Sequence, residues 1–101
     1  MLLSEQINSY RVERAAKFFS LMTHPMRINI IELLRSTKGL SVTDIYQKMN
    51  ILQAEASHHL TLLKDFGIIK KKREGKKSIY MVDEEDFLKI LDIVDKMSAK
   101  P

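Results

Sequence analysis

The most constraining feature of this chain is the stretch from Gln53 to Gly67, Q-A-E-A-S-H-H-L-T-L-L-K-D-F-G. Wound as a helix at about 100° per residue, it separates bulky apolar side chains from small and polar ones. The apolar side, which predicts a face buried in a core, consists of Ala56, His59, Leu60, Leu62, Leu63 and Phe66. The opposite side consists of Gln53, Ala54, Ser57, His58, Thr61 and Lys64. The stretch therefore predicts an amphipathic helix whose second face has no bulky apolar groups.

The polar face carries chemical groups of the kinds that can contact DNA. An amide, hydroxyls and an imidazole can hydrogen-bond to base edges, and the small Ala54 fits against a thymine methyl group. Lys64, farther along the helix, is placed for a backbone phosphate. His59 lies on the apolar side and is interpreted as a packed, hydrogen-bonded histidine, whereas His58 faces outward. The same pattern also fits an ordinary surface helix, so its interpretation as a DNA-recognition helix depends on the neighbouring segments.

A short helix is predicted just before this one. Ser41 suits its N-cap position and Asp44 follows three residues later, which resembles a capping box. The residues expected to face inward are Val42, Ile45 and Met49. The helix ends at Asn50 and a tight turn leads into the Gln53 helix. This order is a helix-turn-helix unit, in which the second helix enters the major groove of DNA.

After Gly67 the apolar spacing changes from 3.6 to 2, which predicts two strands, residues 68–74 and 77–82, around a glycine turn. Residues 70–77 hold six cations and one glutamate, a charge of +5 that exceeds the whole chain's net +4. A basic run is often only solvated surface. A hairpin with a cationic tip directly after a recognition helix, however, is typical of a wing that reaches phosphates or the minor groove. The wing residues expected to contact DNA are Arg73, Lys76 and Lys77.

Further helices are predicted on both sides of this unit. Residues 4–22 carry two apolar stripes, and Pro25, which suits a first helical position, begins a helix that runs to about Ser36. His24, beside this proline, is interpreted as a cap or surface residue. The last segment, residues 83–99, opens with four acids that the positive end of a helix dipole favours.

The two terminal helices have more apolar surface than a small core can cover. A domain of 101 residues buries only about 60 to 70% of its unfolded surface. The excess consists of Ile7, Tyr10 and Phe18 on the first helix and some of Leu88, Leu91 and Val94 on the last. We therefore predict a symmetric homodimer that pairs these helices.

Four motifs in this order and spacing resemble the ArsR/SmtB family of winged helix-turn-helix repressors. They are His24-Pro25-Met26-Arg27, Ser41-Val42-Thr43-Asp44-Ile45, Gln53-Ala54-Glu55-Ala56-Ser57-His58-His59-Leu60, and Arg73-Glu74-Gly75-Lys76 with the following Tyr80. The first departs from the family's D-P-x-R pattern, because a histidine replaces the leading acid. The resemblance covers residues 18–82 and implies a DNA-binding transcriptional regulator.

The predicted fold class is mainly α with a small β-hairpin, a winged helix-turn-helix in the order α-α-α-α-β-β-α. The chain is predicted to be one domain, residues 1–101, that forms a homodimer through its terminal helices. Residues 1–22 and 83–101 are the predicted dimerisation helices. Residues 41–66 form the helix-turn-helix and residues 68–82 the wing.

The resemblance raises the question of an effector, because many members of the family sense metals. The segment 40–44, where such members carry cysteines, has none, and the whole chain lacks cysteine. The family's other metal site falls on Glu84, Asp86, Met97 and Lys100, a poor ligand set for zinc. We therefore predict no metal or cofactor and an unknown effector, leaving open an unusual carboxylate site at Glu84 and Asp86.

Enzymatic function is not predicted, because the chain has no Gly-rich phosphate loop and no nucleophile with a plausible partner. No apolar run approaches 18 residues and the start lacks a signal-peptide pattern, so we expect a cytoplasmic protein without a membrane partner. The predicted function is a dimeric, sequence-specific regulator, a repressor, that binds double-stranded DNA at an imperfect palindrome. The alternative is a winged-helix protein-interaction module that has lost DNA binding, which only Glu55 in the recognition helix favours.

Overall fold

The computed structural model describes residues 9–85 and 87–89. The elements within these ranges are α1 (Ser9–Met22), α2 (Pro25–Arg35), β1 (Leu40–Ser41), α3 (Val42–Met49), α4 (Gln53–Phe66), β2 (Ile69–Glu74) and β3 (Lys77–Val82). Residues 84–85 and 87–89 are helical. The predicted winged helix-turn-helix order is confirmed. No helix in the described ranges is long and apolar enough to cross a membrane.

The helix boundaries follow from local chemistry. Pro25 opens α2, as predicted, although the side chain of the preceding His24 makes no capping hydrogen bond. At α3 the Ser41 hydroxyl accepts a hydrogen bond from the backbone N–H of Asp44 at 3.2 Å, as expected for an N-cap. Asn50 (φ 56°) ends α3 and Gly67 (φ 100°) ends α4, both in the left-handed conformation that terminates helices.

The sheet has three antiparallel strands in the order β1-β3-β2. The strand β1 was not predicted from the sequence, and its two residues pair with β3 through Leu40↔Tyr80 and Ser41↔Ile79. This pairing brings Gly39 against β3, where a Cβ would lie 2.6 Å from Ile79 Cγ2. Only glycine permits this approach, and its φ of 137° is also unfavourable for other residues. The base of the wing is thereby joined to the start of α3.

One hydrophobic core lies between the helices and the sheet. Its buried apolar residues are Leu21, Ile30, Ile31, Leu34, Ile45, Ala56, Leu60, Leu63, Ile68, Ile69 and Phe87. The residues that pack against it in a half-buried state include Phe18, Met22, Met26, Leu62 and Phe66. The apolar face predicted for α4 is therefore confirmed as a core face.

One prediction for the first helix is wrong. Phe18 was predicted to be surplus apolar surface, but its ring packs on the domain's own core, 5.8 Å from the ring of Phe66 on α4. The apolar residues that α1 does leave exposed are Tyr10, Val12 and Phe19, and Leu88 is exposed near the other end of the chain. The remaining predicted interface residues, Ile7, Leu91 and Val94, lie outside the described residues.

Candidate nucleic-acid interface

The polar face of α4, predicted from the sequence to contact DNA, is exposed to solvent. Each of its six side chains is exposed, from the first turn of the helix to its last: Gln53, Ala54, Ser57, His58, Thr61 and Lys64. On the other side Ala56, Leu60 and Leu63 are completely buried. Lys64 lies 3.6 Å from Asp65, an exposed ion pair of small energetic weight. Packing therefore fixes the orientation of the helix and leaves its polar face available.

A side-chain hydrogen bond ties the middle of α4 to α2. Arg27 Nε donates to His59 Nδ1 at 3.2 Å, and Arg27 NH1 donates to the carbonyl of Leu21 at 3.4 Å. The His24 ring contacts the His59 ring edge-on, with 4.7 Å between centroids. His59 is therefore the packed, hydrogen-bonded histidine that the sequence predicted. The sequence motif His24-Pro25-Met26-Arg27 did not indicate this role of Arg27, which depends on the contact between α2 and α4.

The protonation of His59 is set by this environment. Burial lowers the pKa of His59 below its ordinary value of 6.5, and the nearby charges of His24, Arg27 and His58 act in the same direction. Glu55, whose Oε2 lies 4.0 Å from His59 Nε2, opposes them. Nε2 has no hydrogen-bond partner among the described residues. Since Nδ1 accepts from Arg27, the neutral imidazole is the form that suits this contact.

A second arginine holds the end of α4. Arg14 on α1 donates to the carbonyl of Phe66 at 3.1 Å, and its guanidinium lies 4.3 Å from the centroid of the Phe66 ring. The carbonyls at a helix C-terminus lack partners within the helix, and a cation there also complements the helix dipole. Together, Arg14 and Arg27 attach α4 to the two preceding helices.

The wing is a regular hairpin with a two-residue turn. Cross-strand partners run from Ile69↔Val82 to Glu74↔Lys77, which leaves Gly75 and Lys76 to form the turn. Gly75 has φ 61° at the first central position, where type II′ turns favour glycine. Arg73 Nε donates to the carbonyl of Gly75 at 3.1 Å, so this guanidinium also braces the turn.

Ion pairs neutralise part of the basic run. Lys70 lies 3.7 Å from Asp83 and Lys72 lies 3.9 Å from Glu74, and both lysines are more than half exposed. Among the described residues, the other four cations of the run take part in no ion pair within 4.0 Å, and three of them lie at the tip: Arg73, Lys76 and Lys77, with Lys71 farther back. The positive charge left for phosphates is therefore concentrated at the tip of the hairpin, at the positions singled out in the sequence.

A groove connects the wing to the helix-turn-helix. Its volume is about 380 Å³, and it is lined by Ser41, Val42, Thr43, Asp44, Lys76, Lys77 and Ser78. The wing lysines therefore lie beside the first turn of α3, the helix that crosses the DNA backbone in helix-turn-helix complexes.

Solved structures share this architecture. One is the homodimeric winged helix-turn-helix DNA-binding domain of Mb0332 from Mycobacterium bovis, a possible ArsR-family transcriptional regulator. Its TM-score is 0.77 and its identity 22%, with 89% of this chain and 82% of that chain covered. The likeness establishes the winged helix-turn-helix fold.

Sequence comparison gives the family. A sequence model of the helix-turn-helix domain matches residues 22–72, about half of the chain. MJ1325 of Methanocaldococcus jannaschii, an uncharacterized HTH-type transcriptional regulator, is 31% identical over 87 residues, which span 86% of this chain and 98% of that protein. The chain belongs to the ArsR/SmtB-type family of helix-turn-helix transcriptional regulators.

Another relative is named for resistance to a metal. A homologue of the cadmium resistance transcriptional regulatory protein CadC from Staphylococcus aureus is 35% identical over 77 residues, 76% of this chain, which spans 64% of that protein's length. The present ArsR/SmtB-type chain contains no cysteine. Its described residues include no group of three or more His, Cys, Asp and Glu side chains that could hold a metal ion. Glu84 is exposed, whereas Asp86, Met97 and Lys100 lie outside the described residues.

One exposed residue at the edge of this surface was not predicted from the sequence. Leu52 occupies the N-cap of α4 and is 75% exposed. A single leucine between two predicted helices had no periodic pattern to which it could be assigned. Only its burial state in the folded chain distinguishes it from a core residue.

Proposed function

We propose that this chain is a dimeric, sequence-specific transcriptional regulator that binds double-stranded DNA and acts as a repressor. The observation that carries the proposal is the exposed polar face of α4 beside a wing whose tip retains unpaired cations. Base edges in the major groove require hydrogen-bonding side chains on a helix of fixed orientation, and phosphates require cations nearby.

The proposed roles divide by element. On α4 the groups proposed to contact bases are those of Gln53, Ala54, Ser57, His58 and Thr61. The groups proposed to contact phosphates are those of Lys64, Arg73, Lys76 and Lys77. Glu55 lies within 4.0 Å of the buried His59 of its own chain, so it need not face the DNA and gives little support to a module without DNA binding.

The dimer is supported by apolar residues that the domain does not cover. Val12 and Phe19 on α1 are 54% and 60% exposed. Their spacing of seven residues places them on the same face of the helix, so together they form an exposed apolar surface. The solved Mb0332 domain is homodimeric. A two-fold axis would set two recognition helices about 34 to 36 Å apart on an imperfect palindrome. The proposal keeps residues 1–22 and 83–101 as the dimerisation segments of a single domain.

Repression is the simplest consequence of such binding, because a dimer that occupies a promoter excludes polymerase. We also infer that this chain does not sense metals through thiolates, since it has no cysteine. A regulator that responds to another effector, or that represses constitutively, agrees with the proposed DNA contacts.

The test is selection of duplex DNA from genomic fragments, followed by footprinting of the bound site and titration at several salt concentrations. We expect tight binding to an imperfect palindrome, weaker binding to random duplex, and a log K that falls linearly with log[salt]. Transcription from the bound promoter should decrease when the protein is added. Absence of salt-dependent DNA binding would favour the protein-interaction module instead, and increased transcription would identify an activator.

The dimer is tested separately by sedimentation. Val12→Asp should yield a monomer and weaken binding to the whole palindrome far more than binding to an isolated half-site. Asn29→Asp, which adds the same charge at an exposed polar position of α2 outside the dimerisation segments, is the control. A wild-type protein that sediments as a monomer at tens of micromolar and protects one unrepeated half-site would contradict the dimer.

A further inference from the structure

Leu52 is the most exposed of the large apolar residues described, with 75% of its surface accessible. Its backbone has a structural role, because the carbonyl of Leu52 accepts a hydrogen bond from Ala56 N–H at 3.0 Å in the first turn of α4. Its side chain lies outside the core and makes no capping hydrogen bond. The leucine side chain therefore contributes no packing to the core of the isolated domain.

The residue is also unfavourable for the position it occupies. Ser, Thr, Asp and Asn are preferred at a helix N-cap because their side chains bind the free N–H groups of the first turn, and leucine cannot. The chain does use such a cap at α3, where Ser41 binds the N–H of Asp44. Leu52 therefore leaves the first turn of α4 uncapped by a side chain and exposes apolar surface to water as well.

The surrounding backbone holds this side chain in a fixed place. Ile51 N–H donates to the carbonyl of Tyr46 at 3.1 Å, and the left-handed Asn50 makes the turn from α3. Leu52 directly precedes Gln53 and Ala54, the first residues of the polar face of α4 that is proposed to contact bases. In helix-turn-helix complexes it is the N-terminal part of this helix that contacts base edges.

We propose that Leu52 packs against the 5-methyl group of a thymine in the major groove and is a specificity-determining residue. That methyl is the one apolar group on the base edges of this groove, so it is the partner that an apolar side chain selects there. The inference rests on the proposed DNA-binding function. It predicts a preference for thymine at one position of each half-site, in addition to the hydrogen bonds made by α4.

The decisive experiment combines Leu52→Ser with replacement of thymine by deoxyuridine, which removes only the methyl group. Each thymine of the selected palindrome is replaced in both half-sites, and the affinities of wild type and variant are measured for every duplex. At the position that Leu52 contacts, we expect the wild type to lose about four-fold per half-site, the factor for burial of one methyl-sized group. Leu52→Ser should bind the original duplex correspondingly more weakly and be insensitive to the methyl at that position. A thymine contacted by Ala54 should respond equally in wild type and variant.

The melting temperature of the same variant shows whether it remains folded. Because serine can cap α4, Leu52→Ser should raise Tm by about 4 to 8 °C while it lowers thymine selectivity. Ile28→Ser, which removes another exposed apolar side chain on α2, should leave the deoxyuridine profile unchanged.

Three outcomes would overturn the inference. If wild type binds its palindrome and every deoxyuridine effect persists in Leu52→Ser, Leu52 contacts no base methyl, although the proposed function stands. If Leu52→Ser changes the sedimentation coefficient, the leucine belongs to a protein interface. If wild type binds no duplex at all, the proposed function fails together with the inference.

Discussion

The helix α4 and the wing carry the two parts of the proposed interface, but different interactions hold them in the fold. Ala56, Leu60 and Leu63 of α4 are completely buried, and side chains of α1 and α2 hydrogen-bond to it. In β2 only Ile69 is buried, and the other five residues of that strand are exposed. Most of β2 is therefore held in place by its backbone pairing with β3 and not by buried side chains.

This difference matches what each part has to recognise. A hydrogen bond to a base edge weakens steeply when its distance or angle departs from the optimum. A recognition helix must therefore be held in a fixed position. Attraction between a lysine and a phosphate falls off slowly and tolerates several side-chain conformations. We therefore expect changes in α4 to alter specificity, and changes in the wing to alter affinity for all sequences.

The largest effect should be on stability, and should come from removing a buried side chain that packs α4 into the core. Leu60→Ala deletes a completely buried side chain and should lower the free energy of unfolding by about 2 to 5 kcal/mol. Urea unfolding measures this loss. The neighbouring Thr61→Ala is the control, because its exposed side chain should change stability by no more than about 0.5 kcal/mol. Equal stability of the two variants would contradict the buried position of Leu60.

The wing should dominate the dependence on salt. Replacing Arg73, Lys76 and Lys77 together by alanine should weaken binding to palindrome and random duplex alike. The slope of log K against log[salt] should flatten by about 0.9 per lost phosphate contact. The control, Lys38→Ala, neutralises an exposed cation outside the wing and outside the dimerisation segments, and should retain the wild-type slope. An unchanged slope in the wing variant would remove the wing from the interface.

The polar face of α4 should affect specificity instead. Ser57→Ala or His58→Ala should weaken binding to the palindrome by about 1 to 3 kcal/mol per lost base contact and leave binding to random duplex nearly unchanged. Paired titrations with both duplexes measure the difference. A parallel fall of both affinities would mean that these residues only position the helix.

The smallest expected effect is a dependence of stability on pH. The folded chain holds the pKa of His59 below 6.5 because the ring is buried and near other cations, whereas the unfolded chain binds the proton at its ordinary value. This contribution to stability is therefore complete above pH 6.5 and is lost as pH falls below it, until the folded protein is protonated too. Urea unfolding of His59→Gln should show less loss between pH 7.5 and 5.5 than wild type. His58→Gln, which removes an exposed imidazole from the same helix, should keep most of the wild-type loss, because burial of His59 is the largest cause of its lowered pKa.

The sequence predicted the elements whose signals are local. The 3.6-residue pattern of α4, the Ser41 cap, the glycine after α4 and the alternation in the hairpin each lie within a few neighbouring residues. Local backbone preferences and one buried face suffice to specify such elements, which is why their bounds agree with the structure to within a few residues. The chemical types of the proposed contact residues could be chosen from the same patterns.

Tertiary structure alone decided the contacts that join distant parts of the chain. β1 has two residues and forms only because Leu40 meets Tyr80 across the sheet. Arg27 reaches His59 across 32 positions, Arg14 reaches Phe66 across 52, and Phe18 was assigned to the wrong surface until its ring was seen against α4. The sequence by itself determined which faces are apolar and which carry charge, because these properties belong to the residues. Which surface covers which, and that Leu52 remains uncovered, depends on how the helices pack, and a periodic pattern carries no information about its partner.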